Sequence, residues 1–396
     1  TCAQHGLNLL NPWHLNIAKY PEIWQKFKMA AQRNGLIIAG EVSPQFSTPP
    51  PAERARDIDG KSNTKPSLTI APDLPWLKGY CDAIAEQARY LDIIVLDDEN
   101  TNRIGDKIDY SPRTLAKFDE YRRRKQLPSL TVAVPEMVRN QSRYPAEYAS
   151  WVDFKCECMA EYYRYYYDAA IKVNPAVKLI PQIACDQSPE ELRRNSLWDY
   201  RKLEKYSWLI SPMIYTYDGI KSSARVGNVI DAHNRELDNR PLTVPTLLVE
   251  HSGFGQIAPQ EKPMFKYQIW EALMARSRLI MFWYANSVMN PVNLQYISEA
   301  IRIARPCEDF FLDGQPVALT AEPAWVRVKA LRLNNRVLIY VANYQNSVDC
   351  SATLRLPWSA RQITNVNLNR QLDMGKAVMV DFRVDRGQFL MVDLAE

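Results

Sequence analysis

A chain of 396 residues with 49 basic and 45 acidic side chains carries a formal net charge of +4, too small and too dispersed for a nucleic-acid footprint. Its length allows one large core with a smaller domain appended, and no apolar run approaches the roughly 20 residues of a membrane helix, so neither nucleic acid nor membrane is expected as a partner. Seven scattered cysteines without C-x-x-C spacing read as mostly free or buried thiols, and four histidines without helical ligand spacing argue against a metal site, so no cofactor is expected.

Through the first 300 residues, apolar strand-like runs alternate with amphipathic helical segments, the signature of βα units around a parallel sheet. The first run, Leu7–Leu10, leads to Trp13 and His14. A helix over Glu22–Ala31, closed by Asn34-Gly35, precedes the second run, Leu36–Val42, which carries Glu41 near its end. The segment from Ser47 to Pro75 is rich in Pro, Ser, Asp and Lys and reads as a long surface loop. The third run, Ile93–Asp98, ends in three consecutive acids, Asp97, Asp98 and Glu99. A long insert from Thr101 to Tyr148 follows, of the kind that shapes a binding cleft, and its basic run Arg122–Lys125 reads as a solvated helix end.

A Tyr-rich helix, Trp151–Val173, is stopped by Asn174-Pro175. The remaining runs are Val177–Ile183, with Gln182 and then Asp186; Trp208–Tyr215, leading to Tyr217 and Asp218; Val244–Glu250, followed by His251; and Leu279–Tyr284, containing Trp283. Polar and aromatic residues at the carboxyl ends of successive parallel strands are what a (β/α)8 barrel displays at its active face. Seven runs stand where a barrel needs eight, so the first strand is expected to lie in sequence absent from this chain.

After Arg305-Pro306 the pattern turns to short alternating strands, such as Trp325–Val328 and Val337–Val341, punctuated by Asn334-Asn335 and Arg386-Gly387. The expected fold is therefore α/β: an N-terminally incomplete TIM barrel over residues 1–305, then a small all-β sandwich over residues 306–396 that steadies it.

Three carboxylates at one strand end raise one another's pKa and cost stability unless they are balanced, so a functional use is expected there. A further carboxylate, Glu250, closes the run Leu247-Leu248-Val249. Two carboxylates across a barrel mouth are the minimum equipment for glycoside hydrolysis, since the leaving oxygen needs a proton while the oxocarbenium-like carbon needs a negative partner. Tyr- and Trp-bearing loops suit the flat faces of sugar rings, and a carbohydrate is the expected substrate.

The stretch Leu96-Asp97-Asp98-Glu99, the helix-like segment Ser111–Tyr121, Trp151-Val152-Asp153-Phe154-Lys155, and Phe282-Trp283 together resemble a clan A glycoside hydrolase, with family 42 β-galactosidases as the nearest pattern. The resemblance spans roughly residues 5 to 300 without a long identical run. It implies Glu99 as acid/base, Glu250 as nucleophile and Trp283 as floor of the sugar site. Asp98 stands where that clan places an asparagine that binds the sugar 2-hydroxyl, and an ionised aspartate can only accept. Trp13, His14, Glu41, Tyr215, Tyr217, His251 and Asp98 are the further substrate-binding candidates.

Two other readings stay open. One is an α-glycosidase of clan D type using Asp97 as nucleophile and Asp218 as acid, which leaves Glu250 and Phe282-Trp283 unexplained. The other is a catalytically silent barrel that binds glycans or scaffolds an assembly. A homo-oligomer is compatible with the sequence; the compartment is left open, with secretion or a periplasmic location preferred over the cytoplasm.

Overall fold

The computed structural model describes residues 8–10, 20–42, 48–97, 105–183, 187–216, 218–248, 257–283, 291–345, 350–373 and 377–395. In chain order its first part comprises β1 (Leu9–Leu10), α1 (Pro21–Arg33), β2 (Ile37–Val42), β3 (Arg54–Arg56), β4 (Ser62–Pro66), α2 (Pro75–Ala88), β5 (Ile93–Asp97), α3 (Pro112–Arg124), α4 (Val134–Arg139), α5 (Pro145–Ile171) and β6 (Lys178–Ile183). It continues with α6 (Pro189–Asn195), α7 (Tyr200–Leu203), β7 (Ser211–Ile214), α8 (Ser223–Glu236), β8 (Thr246–Leu248), α9 (Met264–Met274), β9 (Met281–Trp283), α10 (Pro291–Ala304) and α11 (Glu308–Asp313).

Seven of these strands form one sheet in the order β1-β2-β5-β6-β7-β8-β9, every pair parallel. With helices in the crossovers this is the TIM-barrel arrangement, and each strand falls within one of the seven apolar runs. An eighth strand is not among the described residues.

Alternation along the strands divides their side chains into two sets. One set packs outward: Ile38, Val42, Ile94, Leu96, Leu179, Ile183 and Ile210 join a cluster with the N-terminal helices, and Ile214 and Leu247 join a second cluster with α8, α9 and α10. The other set meets inside the barrel, where Ala39, Ile93, Val95, Ile180, Leu209 and Val244 form a separate small core. Burial on both faces is why these strands read as continuous apolar runs.

Helix starts are written locally. Prolines occupy the first turn of α1, α2, α3, α5 and α6, where a missing N–H costs nothing. Ser111 caps α3 by accepting from Thr114 N (3.2 Å), and Ser188 with Glu191 forms a capping box on α6. At the end of α1, Gly35 takes φ +67°, the left-handed turn expected of Asn34-Gly35.

Two expectations need correction. The segment after β2 is more than a surface loop: β3 and β4 pair antiparallel within it, and Glu53, Ala55 and Ser67–Ile70 are buried. Glu53 accepts from Trp76 N at the start of α2, and Asp109 accepts from Ser67 Oγ and Leu68 N (both 3.1 Å), so polar side chains fasten the insert where apolar area is scarce. The basic run ending α3 is likewise only partly solvated: Arg122 is buried and its guanidinium donates to Ser150 Oγ and to the Pro128 carbonyl.

The C-terminal part contains β10 (Gln315–Val317), β11 (Ala321–Glu322), β12 (Arg327–Leu333), β13 (Arg336–Ala342), β14 (Ser351–Arg355), β15 (Ala360–Asn365), β16 (Arg370–Gln371), β17 (Ala377–Asp381) and β18 (Gly387–Leu394). They form a six-stranded sheet, β10-β12-β13-β18-β15-β16, and a three-stranded sheet, β11-β14-β17, packed across a shared apolar cluster as a sandwich. The six-stranded sheet also presents Leu331, Leu338, Tyr340, Ala342 and Phe389 to the cluster around α9 and α10, so barrel and sandwich share a core. Within that junction Glu271 of α9, wholly buried, accepts a two-pronged Arg327 (3.0 and 3.1 Å) and the Tyr344 hydroxyl (3.0 Å).

Candidate active site

The barrel interior changes character along its axis. Above the apolar tier, the next inward-facing residues are Glu41 on β2, Asp97 on β5, Gln182 on β6, Ser211 on β7 and Thr246 on β8. The latter four are at most 4% exposed. Asp97 and Gln182 are register partners on neighbouring strands, as are Gln182 and Ser211. Gln182 Nε2 donates to Thr246 Oγ1 (2.5 Å), and the Thr246 and Ser211 hydroxyls are bonded at 2.8 Å. This chain of polar groups spans three strands and bonds the Gln182, Thr246 and Ser211 side chains to one another inside the barrel.

Closer to the carboxyl ends, the inward set becomes aromatic. Tyr215, two residues beyond Met213, lies stacked on Trp283 of β9 with ring centroids 5.4 Å apart and planes 13° apart. The Tyr215 hydroxyl donates to Met213 Sδ (3.0 Å), and both rings are half-buried. Thr216, the next residue, is buried beneath α9, where Gln268 Nε2 donates to its hydroxyl. The loop after β7 is fastened to the one after β8 by Glu261, which accepts from Ile220 N (2.7 Å) and packs on Gly219, a residue held at φ +70°.

Of the sequence candidates, the structure thus brings Asp97, Tyr215 and Trp283 to the inner face near the carboxyl ends of the strands. Glu41 joins them on β2, half-buried, while its backbone carbonyl accepts from Gln87 Nε2 of α2 (3.4 Å). Asp218 is exposed at the start of the 3-10 turn Gly219–Ser222. Trp13, His14, Asp98, Glu99, Tyr217, Glu250 and His251 lie outside the described residues. Sequence reading passed over Ser211, Thr246 and Gln268. The available signal was a hydroxyl residue opening an apolar run before proline or leucine, in Ser211-Pro212-Met213 and Thr246-Leu247-Leu248, which marks an inward polar position.

Among the described residues no group of three or more His, Cys, Asp or Glu side chains could hold a metal ion, and no helix is long and apolar enough to cross a membrane.

No protein-family model matches the chain, and no curated protein matches its sequence. Solved structures do share its architecture. A β-galactosidase from Bacillus circulans sp. alkalophilus superposes with a TM-score of 0.66 at 8% identity, over 99% of this chain and 95% of that one. An α-amylase from Geobacillus thermoleovorans, solved with acarbose, gives 0.52 at 10% identity over 95% and 81%. A β-galactosidase from the haloarchaeon Halorubrum lacusprofundi gives 0.54 at 11% identity over 80% and 56%. At these identities what is shared is the fold: the chain is similar in architecture to TIM-barrel glycoside hydrolases of more than one kind.

Proposed function

We propose that this chain is a retaining glycoside hydrolase acting on a β-linked glycoside, with residues 1–305 as the catalytic barrel and residues 306–396 as its supporting sandwich. The observation that carries the reading is the inner face of the barrel: a polar tier, Asp97-Gln182-Ser211-Thr246, beneath the stacked Tyr215–Trp283 pair. Glu99 stands two residues beyond inward-facing Asp97, and Glu250 two beyond inward-facing Leu248. In the two-residue period of a strand, both carboxylates therefore share the sequence parity of the inward-facing positions.

In this mechanism Glu250 attacks the anomeric carbon and Glu99 protonates the departing oxygen, then deprotonates the water that releases the sugar. Trp283 supports the ring. Asp98 accepts from sugar hydroxyls, and Trp13, His14, Glu41, Tyr215, Tyr217 and His251 complete the sugar contacts. The family 42 β-galactosidase pattern is the nearest guide to roles. Glu250→Gln and Glu99→Gln are each expected to abolish turnover of nitrophenyl β-glycosides without lowering the melting temperature. Ordinary activity in either variant removes its assignment.

A second reading draws support from the buried, inward-facing Asp97 and from the α-amylase likeness: Asp97 as nucleophile and Asp218 as acid on an α-glycoside. Activity on nitrophenyl α-glycosides that vanishes in Asp97→Asn while surviving Glu250→Gln would favour it.

A further inference from the structure

On the side of the barrel away from the strands' carboxyl ends, a cavity of about 600 Å³ lies between α8, the turn after α9, and the strands β10, β12 and β14 of the sandwich. Both α8 and α9 end there, because each leads into the amino end of the next barrel strand. Four cationic side chains line it, Arg235, Arg276, Lys329 and Arg355, against one acid, Asp231. Lys329 neutralises that acid at 2.7 Å, and Arg355 is turned toward Glu322 at 3.3 Å. The wall opposite is apolar, built from Val317, Leu319 and Pro357.

Arg276 is unusual in two independent ways. It sits just past the C-terminus of α9, where Ser277 N bonds to the Ala272 carbonyl and Arg276 N to the Leu273 carbonyl, at φ +63°. That is the left-handed position helices usually give to glycine, and any residue with a Cβ is strained there. Its side chain is half-buried, and its Nε is buried without a hydrogen-bond partner. Neither a hydrogen bond nor an ion pair engages its guanidinium among the described residues. A strained backbone that keeps an arginine, and a buried donor left open at a cavity, both point to a group that arrives from outside.

We infer that this cavity is a binding site for a small organic anion, a carboxylate or phosphate on an apolar body, with Arg276 as its anchor. The anion meets the guanidinium fork while its body lies on the Val317–Leu319 wall, so the ligand clasps the barrel to the sandwich. The site is remote from the strand carboxyl ends and is independent of the glycosidase reading.

The test uses the full chain, with isothermal calorimetry and thermal denaturation in phenyl phosphate, in benzoate, and in benzyl alcohol as the neutral control. Phenyl phosphate or benzoate is expected to bind and raise the melting temperature, benzyl alcohol to do neither, and added salt to weaken the anion. The preferred probe tells a phosphorylated ligand from a carboxylate. Arg276→Gly removes the anchor while relieving the backbone, so its ligand-free melting temperature should be unchanged or higher and its anion affinity at least tenfold lower. Arg276→Lys should retain part of the affinity. The proposal is overturned if neither anion binds the wild-type chain, or if Arg276→Gly binds as tightly as wild type.

Discussion

Tyr215 and Trp283 are stacked face to face across β8, which lies between their own strands, so that the Tyr215 ring backs one face of Trp283 at the inner carboxyl end of that part of the barrel. Trp283→Ala is expected to lower kcat/KM on an aryl glycoside at least tenfold, equivalent to about 1.4 kcal/mol of transition-state binding. Tyr215→Ala should lower it less, because Trp283 keeps its ring but loses its backing. Steady-state kinetics on the two variants check this, and an unaltered Trp283→Ala takes the tryptophan out of the sugar site.

A second outcome concerns the charge buried under the insert. Lys155 of α5 is fully buried; its Nζ donates to the Ile108 carbonyl (2.6 Å), lies 3.9 Å from Asp109 Oδ2 and sits over the Trp151 ring at 5.3 Å. Burial pushes its pKa down while Asp109 pulls it up. Lys155→Met leaves Asp109 buried without its counter-charge and should cost about 3–5 kcal/mol, whereas adding Asp109→Asn should restore part of the loss. Denaturant midpoints of the single and double variants measure it, and a double variant no better than the single would show that the pair is not coupled.

Acid sensitivity should have a component assignable to one residue. His233 of α8 is buried, with Nε2 3.0 Å from the Gln187 carbonyl and Nδ1 buried without a partner, so a second ring proton has nowhere to bond. Burial lowers its pKa from 6.5 to about 4. Between those values the unfolded chain binds a proton that the folded chain refuses, so stability is full above pH 6.5 and falls as the pH drops toward 4, by up to about 3 kcal/mol. His233→Gln should flatten the stability profile over that window relative to wild type; parallel profiles would contradict the assignment.

Gly40 offers a packing test inside β2. A Cβ there would lie 2.1 Å from Leu91 Cδ1 and 2.9 Å from Gln87 Oε1. Leu91 is itself enclosed in the core and has no room to withdraw. Gly40→Ala should therefore destabilise by about 1–3 kcal/mol through overpacking. A melting temperature equal to wild type would show that the end of α2 yields more readily than its burial implies.

How much of this was readable beforehand follows from where the information sits. The barrel strands were legible because the central ones are buried on both faces, so Ile93-Ile94-Val95-Leu96 is apolar without a break. The polar tier was not, because Ser211 and Thr246 become partners only when β7 and β8 lie side by side, 35 residues apart in sequence. The hairpin β3–β4 escaped notice because its burial rests on Glu53 and Asp109, polar residues that a composition reading assigns to solvent. Arg122 was misread for the same reason, since a charge run says nothing about which of its members finds a carbonyl. At the candidate site, Asp97, Tyr215 and Trp283 lie on the inner face that alternation assigns them.

The shared core between barrel and sandwich carries an evolutionary consequence. Phe389 and Tyr340 pack edge-on against Trp270 of α9, and Glu271 beside it takes its counter-charge from Arg327 of β12. A recombination break anywhere between α11 and β10 would leave each product with half of an apolar seam and one product with an uncompensated acid. Such a sandwich is not a module that can be shuffled onto another barrel; α9 and the six-stranded sheet can change only together, one compensating substitution at a time.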